Sequence, residues 1–208
     1  MAASASVPAR RAETDADLRR VILDHARHLL VADGYDALSM RKIAGSVGCS
    51  ATSIYLHFDN KDALTHALIS EGMALLYDAL QAATEGVSAP ADRLLALSQT
   101  YVRFGLDNPE YYEVMFQLHP ERMARYPAEE YRRARRNIER FGETIADGLA
   151  DRSLTSPNPP DVASAVLWTA LHGLVSLHLA SRVDVRLAGD EFVDAAVRQS
   201  LAPFVHAT

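Results

Sequence analysis

Apolar residues recur at intervals of three and four almost throughout the chain, and no stretch alternates in the manner of a half-buried strand, so the pattern predicts an all-α protein. Residues 1–13, rich in Ala, Ser and Arg, read as a mobile arm, and Thr14 or Asp15 is placed to cap the first helix. That helix carries Leu18, Val21, Ile22, Ala26, Leu29 and Leu30 on its buried stripe. Gly34 stands where it should end, because glycine accepts positive φ without steric cost. Ser39 then precedes a short stripe of Met40, Ile43, Ala44 and Val47, closed by Gly48, and Ser50 opens another helix reaching about His57. Two short helices around a glycine-containing turn have the size of a helix-turn-helix. Ala44 lets them approach closely, and Ala51, Thr52 and Ser53 keep the second slim enough for a major groove about 12 Å wide.

The longer part of the chain reads as a helical bundle. A helix opening at Lys61 after a capping Asn60 places Leu64, Leu68, Leu75, Leu76 and Leu80 on one face. Another spans about residues 90–106, and Asn108-Pro109 introduces a short aromatic helix with Tyr111, Tyr112, Met115 and Phe116. After Pro127 a long helix directs Tyr131, Ala134, Ile138, Phe141, Ile145 and Leu149 inward. Its other face holds Arg132, Arg133, Arg135, Arg136 and Arg140. Interspersed Glu129, Glu130, Glu139 and Glu143 favour an ion-paired, solvated surface over an anion site. Residues 163–180 carry no charge and approach the length of a membrane span, but Trp168, His172, Gly173, Ser176 and His178 lie within them, which favours a buried helix and no membrane partner. This helix and the last one are apolar enough to need cover from a second copy of the chain. Leu171, Leu174 and Val175 on one, with Val193, Val197, Leu201 and Phe204 on the other, are the expected homodimer interface. The alternative is that both helices complete a monomeric core.

With 208 residues, 49% hydrophobic and 23% charged, the chain has room for one or two globular domains. Its net charge of −6 argues against a polyanionic partner until the distribution is considered. Residues 1–62 hold eight basic and eight acidic side chains, so the negative surplus lies entirely beyond them. Only the N-terminal part suits nucleic acid. The single cysteine, Cys49, forms no intramolecular disulfide, and the N-terminus lacks the apolar core of a signal peptide, so a cytoplasmic protein is expected. His25 and His28 have no accompanying carboxylate or thiol cluster, which leaves no expected metal. His172 has no evident nucleophile partner or phosphate loop, which leaves no expected catalysis.

The residues around the short helices then carry a more specific signal. Gly34-Tyr35-Asp36-Ala37-Leu38-Ser39-Met40-Arg41-Lys42-Ile43-Ala44, Val47-Gly48-Cys49-Ser50, and Ile54-Tyr55-Leu56-His57-Phe58-Asp59-Asn60-Lys61-Asp62-Ala63-Leu64 resemble the TetR-family DNA-binding domain in order and spacing. Cys49 departs from the valine more usual there. The resemblance implies a DNA-binding domain over residues 14–71 with its helix-turn-helix at 39–58. Thr52 and its neighbours Ser50 and Ala51 would meet bases or phosphates, and Tyr55, His57 and Lys61 would anchor the DNA backbone. Ser39, Arg41 and Lys42 join them as candidates, the last two open to a reading as plain solvated surface.

Trp168, His172 and Gly173, spaced W-x-x-x-H-G, resemble the tryptophan-histidine-glycine signature of one C-terminal domain class among TetR-like regulators. In such regulators the body, here residues 72–208, encloses an effector pocket and forms the dimer. Tyr101, Phe104, Tyr111, Met115, Phe116, Trp168 and His172 are the implied lining of a pocket for a small, largely apolar effector, with no other cofactor. The family implies a repressor released from a palindromic, double-stranded operator by that effector. An effector-independent DNA-binding dimer with a solid core is the alternative.

Overall fold

The computed structural model describes residues 7–118, 123–187 and 189–205, with side chains from residue 15 onward. Among the described residues there is no strand. The helices are α1 (Val7–Ala37), α2 (Met40–Val47), α3 (Ala51–Tyr55), α4 (Lys61–Thr84), α5 (Pro90–Asp107), α6 (Pro109–Phe116), α7 (Ala128–Ala150), α8 (Pro160–Leu179) and α9 (Asp190–Ser200), followed by a 3-10 turn at Ala202–Phe204. The all-α expectation holds. The chain divides into two compact units, one of Met1–Glu71 with Glu110–Tyr126, the other of Gly72–Pro109 with Pro127–Thr208.

In the first unit α1 starts earlier than expected. Residues 1–6 of the anticipated arm lie outside the described residues, but Val7 onward is already helical, so neither Thr14 nor Asp15 caps it. The alanines, arginines and glutamate of this segment are strong helix formers, and a proline in the first turn is tolerated because its missing N–H would have no partner there. Gly34 interrupts α1 with φ 78° and ψ 167°, and Tyr35 to Ala37 add one further turn. The core of this unit gathers Ile22, Ala26, Leu30, Ile43, Ile54 and Leu64. Along α4 the buried series is Leu64, Leu68, Leu76 and Leu80, spaced in multiples of four, whereas Leu75 is exposed. One residue off that series is rotated about 100° away from it.

In the second unit α5, α7, α8 and α9 pack on one another. The inward face of α7 consists of Asn137, Phe141, Thr144, Ile145 and Gly148, while Tyr131 stands exposed, a shift from the expected stripe. Polar members of that face make hydrogen bonds to backbone carbonyls, although the buried Asn137 Oδ1 has no hydrogen-bond partner. Asn137 Nδ2 donates to the Met73 carbonyl at 3.1 Å, and the Thr144 hydroxyl to the Arg140 carbonyl at 2.9 Å. Gly148 is needed for contact, since a Cβ there would sit 2.5 Å from the buried Leu154 side chain. The outer face is ion-paired as anticipated, Arg132 with Glu129, Arg133 with Glu130 at 3.2 Å and Arg135 with Glu139 at 3.2 Å.

The expected dimer residues differ in burial from the open face of α8. Leu171, Val175, Val193, Val197, Leu201 and Phe204 are buried within the chain's own packing, and Leu174 is half-buried. They lie where α8 and α9 pack on α5 and on each other. Only 28% of the apolar window of α8, a helix long and apolar enough to cross a membrane, is buried. Its open face instead carries Val162, Ala165, Val166, Thr169, Ala170 and Leu177.

Candidate nucleic-acid interface

Three side chains and one glycine shape the motif. The Ser39 hydroxyl accepts from the Lys42 N–H at 3.2 Å and caps α2. Gly48, with φ 79° and ψ 28°, ends α2 in the left-handed region and donates its N–H to the Ala44 carbonyl at 2.9 Å. Ser50 caps α3 by accepting from the Ser53 N–H at 3.1 Å, and Asn60 caps α4 by accepting from the Ala63 N–H at 2.8 Å. Each bond satisfies a helix-end group that would otherwise depend on water. Met40, Ile43, Ala44, Ile54 and Phe58 are buried beneath the motif. The opposite surface exposes Ser39, Arg41, Lys42, Ser50 and Thr52, with Ala51 half-buried, Tyr55 53% exposed and Leu56 80% exposed.

Two expected DNA-backbone anchors are engaged inside the unit. The His57 side chain is only 6% exposed, with Nε2 3.5 Å from the Asp15 carboxylate. Lys61 donates to the Tyr35 carbonyl at 2.9 Å and lies 3.8 Å above the Tyr35 ring. The carbonyl takes one of its three ammonium protons. Lys42 pairs with Asp33 at 2.9 Å, a surface contact of small energetic weight. Tyr35 also donates to Asp62, whose second oxygen accepts from the Ala124 N–H at 3.0 Å. Burial first, and then the Asp62 partner, raise the Tyr35 phenol well above its ordinary value. The Tyr35 bond holds the Asp62 carboxyl below the usual carboxylate range.

A second cluster, missed in the sequence, ties α6 to α1. Arg27 Nε lies 3.1 Å and His28 Nδ1 2.7 Å from the Glu110 carboxylate, and the Arg27 guanidinium sits 4.2 Å above the Tyr111 ring. Tyr111 donates to Glu71 at 3.0 Å. Burial, and then the Glu71 charge, push its phenol up to about 12. Burial opposes ionisation of Glu110, yet the His28 and Arg27 bonds hold its carboxyl below the ordinary value. Partners 83 residues apart leave no local signal. His25 bonds to Ser46 at 2.7 Å, so the two histidines serve different partners. No group able to hold a metal ion occurs among the described residues.

The seven expected pocket residues divide between the units. Tyr111, Met115 and Phe116 belong to the first, where Phe116 packs its ring 4.9 Å from that of Tyr112. Tyr101, Phe104, Trp168 and His172 belong to the second. There Trp168 Nε1 donates to the Tyr101 hydroxyl at 3.0 Å, which lies 3.3 Å from His172 Nδ1, and His172 Nε2 lies 3.4 Å from the Ser176 hydroxyl. A neutral His172 protonated on Nε2 accepts from the Tyr101 hydroxyl and donates to that of Ser176. Burial favours the neutral imidazole by lowering its pKa. The Trp168 and His172 rings stack at 5.1 Å. A separate cleft of ≈ 190 Å³ is lined by Thr84, Arg93, Arg140, Glu143, Thr144 and Asp147, and none of the expected pocket residues borders it.

Comparison with known proteins matches the chain on both parts. A family model described as tetracyclin repressor-like, C-terminal domain, covers residues 94–200, and one described as bacterial regulatory proteins, tetR family, covers residues 22–68. The uncharacterized HTH-type transcriptional regulator MT1294 of Mycobacterium tuberculosis is 34% identical over 109 residues, 52% of each chain. The match thus spans about half the length of that relative. A solved protein of unknown function from Rhodococcus sp. RHA1 superposes with a TM-score of 0.76 at 26% identity, over 91% of this chain and 96% of that one. AibR in complex with isovaleryl coenzyme A and operator DNA superposes with a TM-score of 0.73 at 22% identity, over 90% and 100%.

Proposed function

The chain belongs to the TetR family of bacterial regulatory proteins, and from that membership we propose that it is a homodimeric repressor that leaves a palindromic operator when a small effector binds. The observation that carries the reading is the α2–Gly48–α3 motif, whose caps and buried side define one solvent face of Ser39, Arg41, Lys42, Ser50, Thr52 and Tyr55. In this reading Thr52 meets base edges, while Tyr55, Arg41 and Lys61 meet phosphates and set register. His57, turned toward Asp15, positions the motif.

Residues 14–71 carry DNA binding in this proposal and residues 72–208 effector binding and dimerisation, with Glu110–Tyr126 grouped with the former. The open α8 face of Val162, Val166 and Leu177 is the dimer surface that replaces the buried residues first expected. Trp168, Tyr101 and His172 supply the polar end of an otherwise apolar effector site. A chain of the same fold, AibR, in complex with both an acyl-coenzyme A and operator DNA supports one fold serving both ligands. Helix α4, whose residues 61–71 belong to one unit and 72–84 to the other, is the route of coupling. Effector and operator then weaken each other's binding reciprocally.

Selection of duplexes from a random pool, repeated with a small-molecule library, tests the reading. The expected outcome is enrichment of an inverted repeat that is lost with a compound. No enriched duplex overturns it, and a repeat insensitive to every compound returns the effector-independent dimer. Val166→Arg is expected to convert the dimer to a folded monomer in sedimentation, because Val166 has no role in the chain's own core.

A further inference from the structure

Leu56 is the large apolar side chain that the helix-turn-helix leaves most open, 80% exposed beside Tyr55. It caps α3 in the right-handed helical region, φ −70° and ψ −22°, and its N–H donates to the Thr52 carbonyl at 3.1 Å. Helical geometry therefore continues through it, and a residue four positions on lies one turn along the same face as Thr52. Ile54 and Phe58, on the other side, are buried. Leu56 contributes nothing to that core, and its position as a helix cap makes no demand for a leucine.

That face is the one the proposed reading turns toward the major groove, and the inference rests on that reading. Phosphates offer nothing to an alkyl group, and polar base edges would lose hydration against it without a compensating hydrogen bond. The apolar group on the major-groove edge of base pairs is the thymine C5-methyl. We propose that Leu56 is a specificity-determining residue that reads a thymine methyl in each operator half-site.

Deoxyuridine removes that methyl while keeping the pairing edge, so the selected repeat is remade with each thymine replaced in turn and titrated with the wild-type chain, L56A and L56M. One position is expected where the replacement weakens wild-type binding about fourfold per half-site and about fifteenfold when made in both. L56A should show no response there, and L56M should keep it. Circular dichroism of L56A should match the wild type, since the residue is outside the core. Equal losses with wild type and L56A assign the methyl to another side chain and overturn the proposal, as does a repeat with no methyl-sensitive thymine. Failure to enrich any duplex removes the DNA-binding reading itself, which separates the two failures.

Discussion

Helices α2 and α3 have eight and five residues, whereas α7 and α8 have 23 and 20. The short pair is too short to persist on propensity alone, and its ends are tied by Ser39, Gly48 and Ser50. The long pair starts after Pro127 and Pro159 with no side-chain cap bond, and is held by packing among α5, α7, α8 and α9. Glycine serves the two regions differently. At Gly48 a Cβ would meet nothing within 4 Å, so the residue is demanded by its positive φ; at Gly148 the demand is the approach of Leu154. One region is specified by bonds spanning four residues or fewer, the other by contacts between distant parts of the chain.

Five measurements sharpen that contrast. The largest effect is expected for Leu171→Ala, whose fully buried side chain leaves a cavity costing about 2–5 kcal/mol in urea denaturation. A value under 1 kcal/mol would show that α8 is held by something other than this packing. Gly148→Ala overpacks the Leu154 contact, with an expected loss of about 1–3 kcal/mol. Gly48→Ala should cost about 1–2 kcal/mol through backbone strain alone, and an Asn at the same position should recover part of it. Removing a cap with Ser50→Ala is expected to cost about 1 kcal/mol and to reduce DNA affinity, while leaving the near-ultraviolet signal of Trp168 unchanged.

The smallest effect concerns pH. Burial lowers the His172 pKa in the folded chain, so the unfolded chain binds the proton more readily. The stability associated with neutral His172 is fully present above the unfolded value of about 6.5 and is lost as pH falls through the folded one. The melting temperature should therefore drop on acidification from about pH 7.5 to 5, and less so in H172Q. Identical profiles would remove His172 as the cause.

The same contrast explains what could be read in advance. The ends of α2 and the start of α3 follow from Ser39, Gly48 and Ser50, because a cap acts within its own turn. Within the expected arm, residues 7–13 are helical because the helix propensity of their alanines and arginines outweighs the arm-like composition. The spacing places Leu75 and Tyr131 on apolar stripes, yet both are exposed, since an amphipathic pattern tolerates a neighbour one position off the face that is finally covered. The chain of Trp168, Tyr101 and His172 joins residues 67 and 71 positions apart, and the spacing of Trp168 and His172 alone did not reveal the Tyr101 link.

By itself the sequence determined the helical class, the short capped motif and the family, because intervals, caps and turn glycines act locally and leave their mark in adjacent letters. Tertiary structure alone decided which side of α8 closes the chain's own core and which stays open, and it alone brought Arg27 to Glu110 and buried His57 against Asp15. A helix apolar on more than one side has several coverable faces, and which is covered depends on neighbours far away in the chain.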